Sequence, residues 1–201
     1  MTTNQIDSAQ RAELVGAVKD LLSEHCGEAE VRRIMTTDSG FDPDLWNKLS
    51  AQGVAGLIVD AEYGGVGLGA QELEAVAEVT GAALLPAPFL SSAVFATALI
   101  QAAGDADDKS RLLPRLADGS AVATVAATGR RGTWSPEDVE VQARPQAHGH
   151  LLTGSAHYVL DGQIADIIVV VAKVDGGIGI FEVSPDAAGL IRTAATVFDP
   201  T

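Results

Sequence analysis

The sequence predicts an α+β fold: an all-α helical bundle domain over residues 1–119, followed by a small β-barrel or sandwich domain over residues 120–201. Two observations carry this expectation. Before residue 120, apolar residues recur at helical spacing in six segments; from Ala121 to Thr128 they run on continuously, as in a buried strand, and no helix-length periodic segment follows. Helices first and strands second, without alternation, argue against a parallel α/β sheet.

The first helix is marked by Leu14, Val15, Val18, Leu21 and Leu22 between Asp7 and His25, with Asp7 or Ser8 as N-cap. A second segment runs from Glu28 to Met35. Asp42-Pro43 then places a cap and a first-turn proline ahead of Leu45, Trp46 and Leu49, and Gly53 ends that helix. An apolar run, Val54 to Val59, enters a glycine-dense turn, Glu62-Tyr63-Gly64-Gly65-Val66-Gly67-Leu68-Gly69, which reads as a strand-to-helix connection. Its glycines lack the dinucleotide spacing, and no Lys-Ser/Thr pair opens the next helix, so a phosphate loop is excluded. Leu73, Val76, Ala77 and Thr80 mark a helix that stops at Pro86-Ala87-Pro88. After Phe89, Ser91 or Ser92 caps a helix to Ala103, and Asp107 to Asp118 gives the last one, interrupted at Pro114 and closed by Gly119. Further strands are expected at Val139–Ala143, His150–Thr153, His157–Leu160, Ile167–Lys173, Ile178–Val183 and Leu190–Phe198, with Gly176-Gly177 as the best hairpin turn.

Thirteen basic against 27 acidic residues give a formal charge of −14, which repels nucleic acid and anionic membrane surfaces. A ligand with its own phosphates then needs local donors or basic groups from another chain. The 201 residues are 47% hydrophobic, enough for one sizeable core or two small ones. The lone Cys26 forms no internal disulfide, and with no apolar signal core and no run of membrane-spanning length the reading is cytoplasmic. His148 and His150 share a strand face, but no Cys or third His stands at ligand spacing, so no metal site is expected.

Four motifs in order resemble the acyl-CoA dehydrogenase family. They are Asp60-Ala61-Glu62-Tyr63-Gly64-Gly65-Val66-Gly67-Leu68, Leu112-Leu113-Pro114-Arg115-Leu116-Ala117-Asp118-Gly119, Leu152-Thr153-Gly154-Ser155-Ala156-His157-Tyr158-Val159-Leu160-Asp161-Gly162, and Asp166-Ile167-Ile168-Val169-Val170-Val171-Ala172. The resemblance runs from Asp7 to Thr201 and covers the first two of the family's three domains. It implies FAD as cofactor, an acyl-CoA substrate, an electron-acceptor flavoprotein, and a homo- or hetero-oligomer with another acyl-CoA dehydrogenase chain. The family's chemistry needs a carboxylate base for the α-proton, donors that polarise the thioester carbonyl, and an oriented flavin that takes the β-hydrogen.

By the same resemblance, Val125, Ala127 and Thr128 at the end of the first strand, with Tyr158 and Leu160 in the hairpin, align to the flavin contacts. The small residues of the helix Ser91 to Ala103, preceded by Phe89, are expected to border an acyl pocket, against the alternative that this helix is plain core. The chain departs from the pattern at Tyr158, where the family has tryptophan, at Leu160, where it has a hydroxyl, and at Gly129, where it has glutamate. Gly129-Arg130-Arg131-Gly132-Thr133-Trp134-Ser135-Pro136 replaces the usual glycine-rich turn; Arg130 and Arg131 are candidates for a ligand phosphate or carboxylate, against the alternative of a solvated loop. No catalytic residue is nominated, because the family carries its base in the third domain. These residues alone are therefore expected to be inactive, and a non-catalytic partner subunit of a heteromeric dehydrogenase is the alternative reading.

Overall fold

The computed structural model describes residues 6–195 and 197, in two compact units that divide between Ala121 and Val122. Among the described residues, the first unit holds α1 (Ser8–His25), α2 (Glu28–Ile34), α3 (Pro43–Ala51), α4 (Ala70–Ala82), α5 (Thr97–Ala103) and α6 (Ala106–Ala117). Local chemistry sets several of these boundaries. The Asp7 carboxylate accepts from the Ala9 and Gln10 amides, while Gln10 Oε1 accepts from the Asp7 amide, closing a capping box at the start of α1. Asp42 accepts from Asp44 N and Leu45 N ahead of Pro43, as the sequence requires. The helices bury Val18, Leu22, Val31, Leu45, Trp46, Leu49 and Val76 in one core, and Arg11 on α1 reaches Glu72 on α4 at 2.7 Å.

The apolar run Val54–Val59 is not a strand. It folds as consecutive turns with Val54, Ala55, Leu57 and Val59 buried, and the glycine segment pairs back onto it through Val66 N to Gly56 O, Leu68 N to Leu57 O and Gly67 N to Val59 O, each 2.9 Å. Gly64 and Gly67 adopt left-handed backbone, whereas Gly65 is required for space, since a Cβ there would sit 2.0 Å from the Val59 carbonyl oxygen. Gln101 on α5 completes the turn: its amide accepts from Asp60 N and donates to Ile58 O.

Two helical expectations change in detail. Ser91 and Ser92 do not cap a helix; they lie inside a π-helical segment, Phe89–Ala96, that runs straight into α5, and the Thr97 hydroxyl donates to the Ser92 carbonyl five residues back. Pro114 does not interrupt α6. The missing N–H would have met the carbonyl of exposed Ser110, which water can satisfy, while Leu112, Leu113, Leu116 and Ala117 stay buried and hold the helix on course.

The second unit is built on β1 (Ala123–Ala126), β2 (Gln142–Pro145), β3 (His150–Thr153), β4 (Ile167–Val174) and β5 (Gly177–Val183), joined in one mixed sheet. β5 runs antiparallel along one edge of β4. β1 and then β2 run parallel along the other, with registers Ala123↔Ile167 and Gln142↔Lys173, and β3 closes an antiparallel hairpin on β2. Long loops, not helices, make the parallel crossovers. The Asp175-Gly176 turn, with Gly176 left-handed, joins β4 to β5, so Gly177 already belongs to the strand. One sheet face gathers Ala126, Ala143, Ile168, Val170 and Ala172, with Leu152, Val159, Phe181, Val183 and Leu190 packed on it.

Residues 157–160 do not form the expected strand, because Tyr158 and Asp161 take left-handed backbone, at φ 56° and 53°. Residues 190–195 and 197 carry no strand either; the rest of that expected segment lies outside the described residues.

Candidate functional site

The residues that align to the flavin contacts come together on the second unit. Ile167 N donates to the Val122 carbonyl at 3.1 Å, and in a parallel ladder alternate residues face a given neighbour. Thr124 and Ala126 therefore turn their backbone groups toward β4. Val125 and Ala127 turn theirs to the opposite edge, where no strand of the described residues lies. A strand edge of this kind is a row of N–H and C=O groups able to bond a planar ligand.

Beside that edge, the 157–160 segment is strapped down by side chains of β1 and its continuation. The Thr128 hydroxyl donates to the His157 carbonyl, His157 N donates to Thr128 O at 2.9 Å, and the Thr124 hydroxyl donates to Leu160 O at 2.5 Å. Thr128 is thus buried and its donor committed to the fold. Arg192 Nη1 holds the following turn through the carbonyls of Gly162, Gln163 and Ala165. The result is a pair of exposed side chains, Tyr158 at 70% and Leu160 at 49%. A tyrosine held in left-handed backbone with its ring in solvent is the strained, outward arrangement that recurs at binding sites.

The Gly129–Asp138 loop closes against the same ring. Tyr158 OH donates to Arg130 O at 3.2 Å, and the ring lies where a Cβ on Gly132 would be 3.3 Å from it. Arg130 is held by Glu140, which accepts from its amide at 3.2 Å and stands 3.5 Å from its Nε. Arg131 Nε donates to Asp138 Oδ1 at 3.0 Å, and Thr133 N donates to Asp138 Oδ2 at 3.0 Å. Asp138 is 3% exposed. Burial pushes its carboxyl pKa up, but the bonds from Arg131 and Thr133 outweigh that and hold it below the usual carboxylate range. Gly129 is required here, since a Cβ would lie 2.0 Å from the Asp138 carbonyl oxygen; the glutamate that the family places at this point has no room in this loop.

Arg130 and Arg131 therefore sit on the site with carboxylates beside them, Arg130 at Glu140 and Arg131 at Asp138. Phe89 belongs to the other unit, where it is 4% exposed and packs in the helical core. Sequence reasoning missed Asp138, Glu140 and His157. His157 Nε2 is buried without a hydrogen-bond partner, 3.8 Å from Glu140 Oε2. The one available signal was the acidic pair flanking Val139, which begins seven residues after the double arginine. Among the described residues no cluster of His, Cys, Asp or Glu can hold a metal ion, and no helix is long and apolar enough to cross a membrane.

Residues 8–120 match the family described as acyl-CoA dehydrogenase, N-terminal domain. Acyl-CoA dehydrogenase FadE27 of Mycobacterium tuberculosis is 30% identical over 182 residues, covering 90% of this chain and 48% of the relative. The crystal structure of the ChsE4-ChsE5 complex from the same organism matches with a TM-score of 0.84 at 29% identity, over 95% of this chain and 51% of that one. An acyl-CoA dehydrogenase complexed with FAD from Bacillus anthracis shares the fold, with a TM-score of 0.81 at 24% identity over 97% of this chain and 34% of that one. The chain belongs to the acyl-CoA dehydrogenase family. It spans about half the length of the curated relatives it matches.

Proposed function

We propose that the protein containing this chain is an FAD-dependent acyl-CoA dehydrogenase, and that the outer edge of β1 with Tyr158 forms the flavin-facing part of its site. The observation that carries this reading is the outward backbone edge at Val125 and Ala127 beside a locked, exposed aromatic ring. FAD, when bound, supplies the acceptor for the hydride lost from Cβ of the acyl-CoA thioester. Val125 and Ala127 offer backbone donors and acceptors to its polar rim, Tyr158 offers a flat apolar surface, and Leu160 excludes water where the family has a hydroxyl. Thr128 acts as a strap on His157 in place of a direct donor.

The α-proton base is assigned outside these residues. A general base at neutral pH needs a raised pKa, yet the two buried carboxylates among the described residues, Glu72 and Asp138, are both held low by arginine and backbone donors. The acyl group is assigned to the helical unit by the family resemblance alone, since Phe89, which was expected to border its pocket, is 4% exposed within the core. Presenting the complete protein with straight-chain, branched and steroid-like acyl-CoA esters and an artificial electron acceptor tests the reading; turnover of at least one ester is expected, and none with any ester contradicts it.

A second reading, a subunit that completes a partner's flavin site without doing chemistry itself, is favoured by Gly129, whose packing against Asp138 excludes the family's glutamate, and by Leu160. A family member solved as a two-protein complex is consistent with it. Co-purification with a homologous chain at about one flavin per two chains supports this reading; a full flavin complement in a homo-oligomer excludes it.

A further inference from the structure

We infer that Asp138 is a positioning residue: through Arg131 and the Gly129–Thr133 loop it holds the Tyr158 ring in place as a platform for the planar part of the ligand. This rests on the flavin reading of the β1 edge.

The chain of contact is short. The buried carboxylate of Asp138 bonds Arg131 Nε with one oxygen and Thr133 N with the other, so a single side chain spans both sides of Gly132. Its own backbone closes the far end, Asp138 N donating to Ser135 O at 2.9 Å, while its carbonyl packs against Gly129 with no room for a Cβ between them. The loop so fixed presents two groups to Tyr158: the Arg130 carbonyl accepts from the phenol, and Gly132, at φ 66°, lies beside the Cδ2 and Cε2 atoms of the ring. Tyr158 needs such support, because a non-glycine residue at φ 56° relaxes toward the right-handed or extended region unless its surroundings hold it. Beneath it, Thr128 fixes His157. The backbone of the ring is thus held by β1, and its tip by a loop whose shape depends on one buried charge.

Arg131 is by this account a structural cation with its Nε spent on Asp138, and the aromatic ring, not the guanidinium, is the ligand-contacting element. That fits the local charge, since Asp138 and Glu140 stand against Arg130 and Arg131 and leave no cationic excess for an anion.

The chain contains two tyrosines, Tyr63 in the helical unit and Tyr158, so 3-fluorotyrosine labelling gives two ¹⁹F signals, assigned with Tyr63→Phe. In Asp138→Asn the Tyr158 signal is expected to move toward that of a free tyrosine while the Tyr63 signal stays, and amide exchange along β4 and β5 reports that the sheet remains folded. Arg131→Lys, which keeps the charge but loses the Nε bond, is expected to move it part of the way. In parallel, FAD titration of the complete protein is expected to show a loss in affinity of about threefold or more for Asp138→Asn, and no further loss when Asp138→Asn is added to Tyr158→Ala. An unmoved Tyr158 signal in both variants overturns the inference, and so does an equal loss of affinity with and without Tyr158, which is the mark of a merely structural role. A moved signal in a protein that binds no FAD supports the Asp138 lock and contradicts the flavin reading instead.

Discussion

Adjacent glycines in the Glu62–Gly69 turn are expected to fail for different reasons when given a side chain. At Gly65 a Cβ would lie 2.0 Å from the Val59 carbonyl oxygen, 2.4 Å from Val59 Cβ and 2.5 Å from its carbonyl carbon, all atoms with no rotamer to escape into. The turn must lift off the Val54–Val59 run, and with it go Val66 N to Gly56 O, Gly67 N to Val59 O and Leu68 N to Leu57 O. Three net hydrogen bonds at about 1 kcal/mol each put Gly65→Ala about 3 kcal/mol below wild type. Gly64 has open space around it but φ 85°, so Gly64→Ala costs about 1–2 kcal/mol from backbone strain alone, and Gly64→Asn costs less, because asparagine tolerates the left-handed region. The assay is urea unfolding followed by tryptophan fluorescence in a Trp134→Phe background, where the one remaining tryptophan, buried Trp46, reports the helical unit. Gly65→Ala within about 0.5 kcal/mol of wild type, or less damaging than Gly64→Ala, would refute the close-packing argument.

Three further outcomes are expected. Asp42→Ala removes the acceptor for Asp44 N and Leu45 N and lowers the stability of the helical unit by about 1 kcal/mol in the same unfolding assay. Burial raises the Glu72 pKa, but Arg11 and the Gly69 amide lower it further, so the folded value is depressed; the stabilisation is full above the ordinary carboxylate pKa and is lost as pH falls through the folded value. Glu72→Gln should therefore flatten the acid limb of the stability curve, and an unchanged limb counts against the pair. Residues 1–201 alone should hold FAD weakly or not at all and turn over no acyl-CoA ester; a flavin band that survives gel filtration contradicts the weak binding, and a measurable rate contradicts the assignment of the base elsewhere.

The parts of this fold that were legible in the sequence are those written in local chemistry. Asp42-Pro43 names its own helix start, Gly53 its end, and the change from helical period to a continuous apolar run at Ala121 separates the helices from the strands. What escaped was set by partners distant in the chain. Residues 157–160 have strand composition but are bent out of a strand by Thr124 and Thr128, more than two dozen residues earlier. Asp138 looks like an ordinary loop carboxylate until Arg131, Thr133 and Gly129 fold over it. Pro114 looks like a helix breaker, yet four buried residues around it outweigh one absent hydrogen bond. The order of the four motifs pointed to the correct family, while the direction in which Val125 and Ala127 face depends on strand register.

The flavin content of the complete protein after gel filtration, wild type against Tyr158→Ala, tests the central claim most directly. Loss of the ring removes an aromatic contact worth about 0.5–1.5 kcal/mol, roughly a twofold to tenfold drop in affinity. The account predicts that wild type retains FAD and that Tyr158→Ala releases it at correspondingly lower dilution, with thermal unfolding of the flavin-free proteins unchanged. A wild-type protein that carries no flavin, or a Tyr158→Ala variant that holds it as tightly, would contradict the placement of the cofactor at the β1 edge.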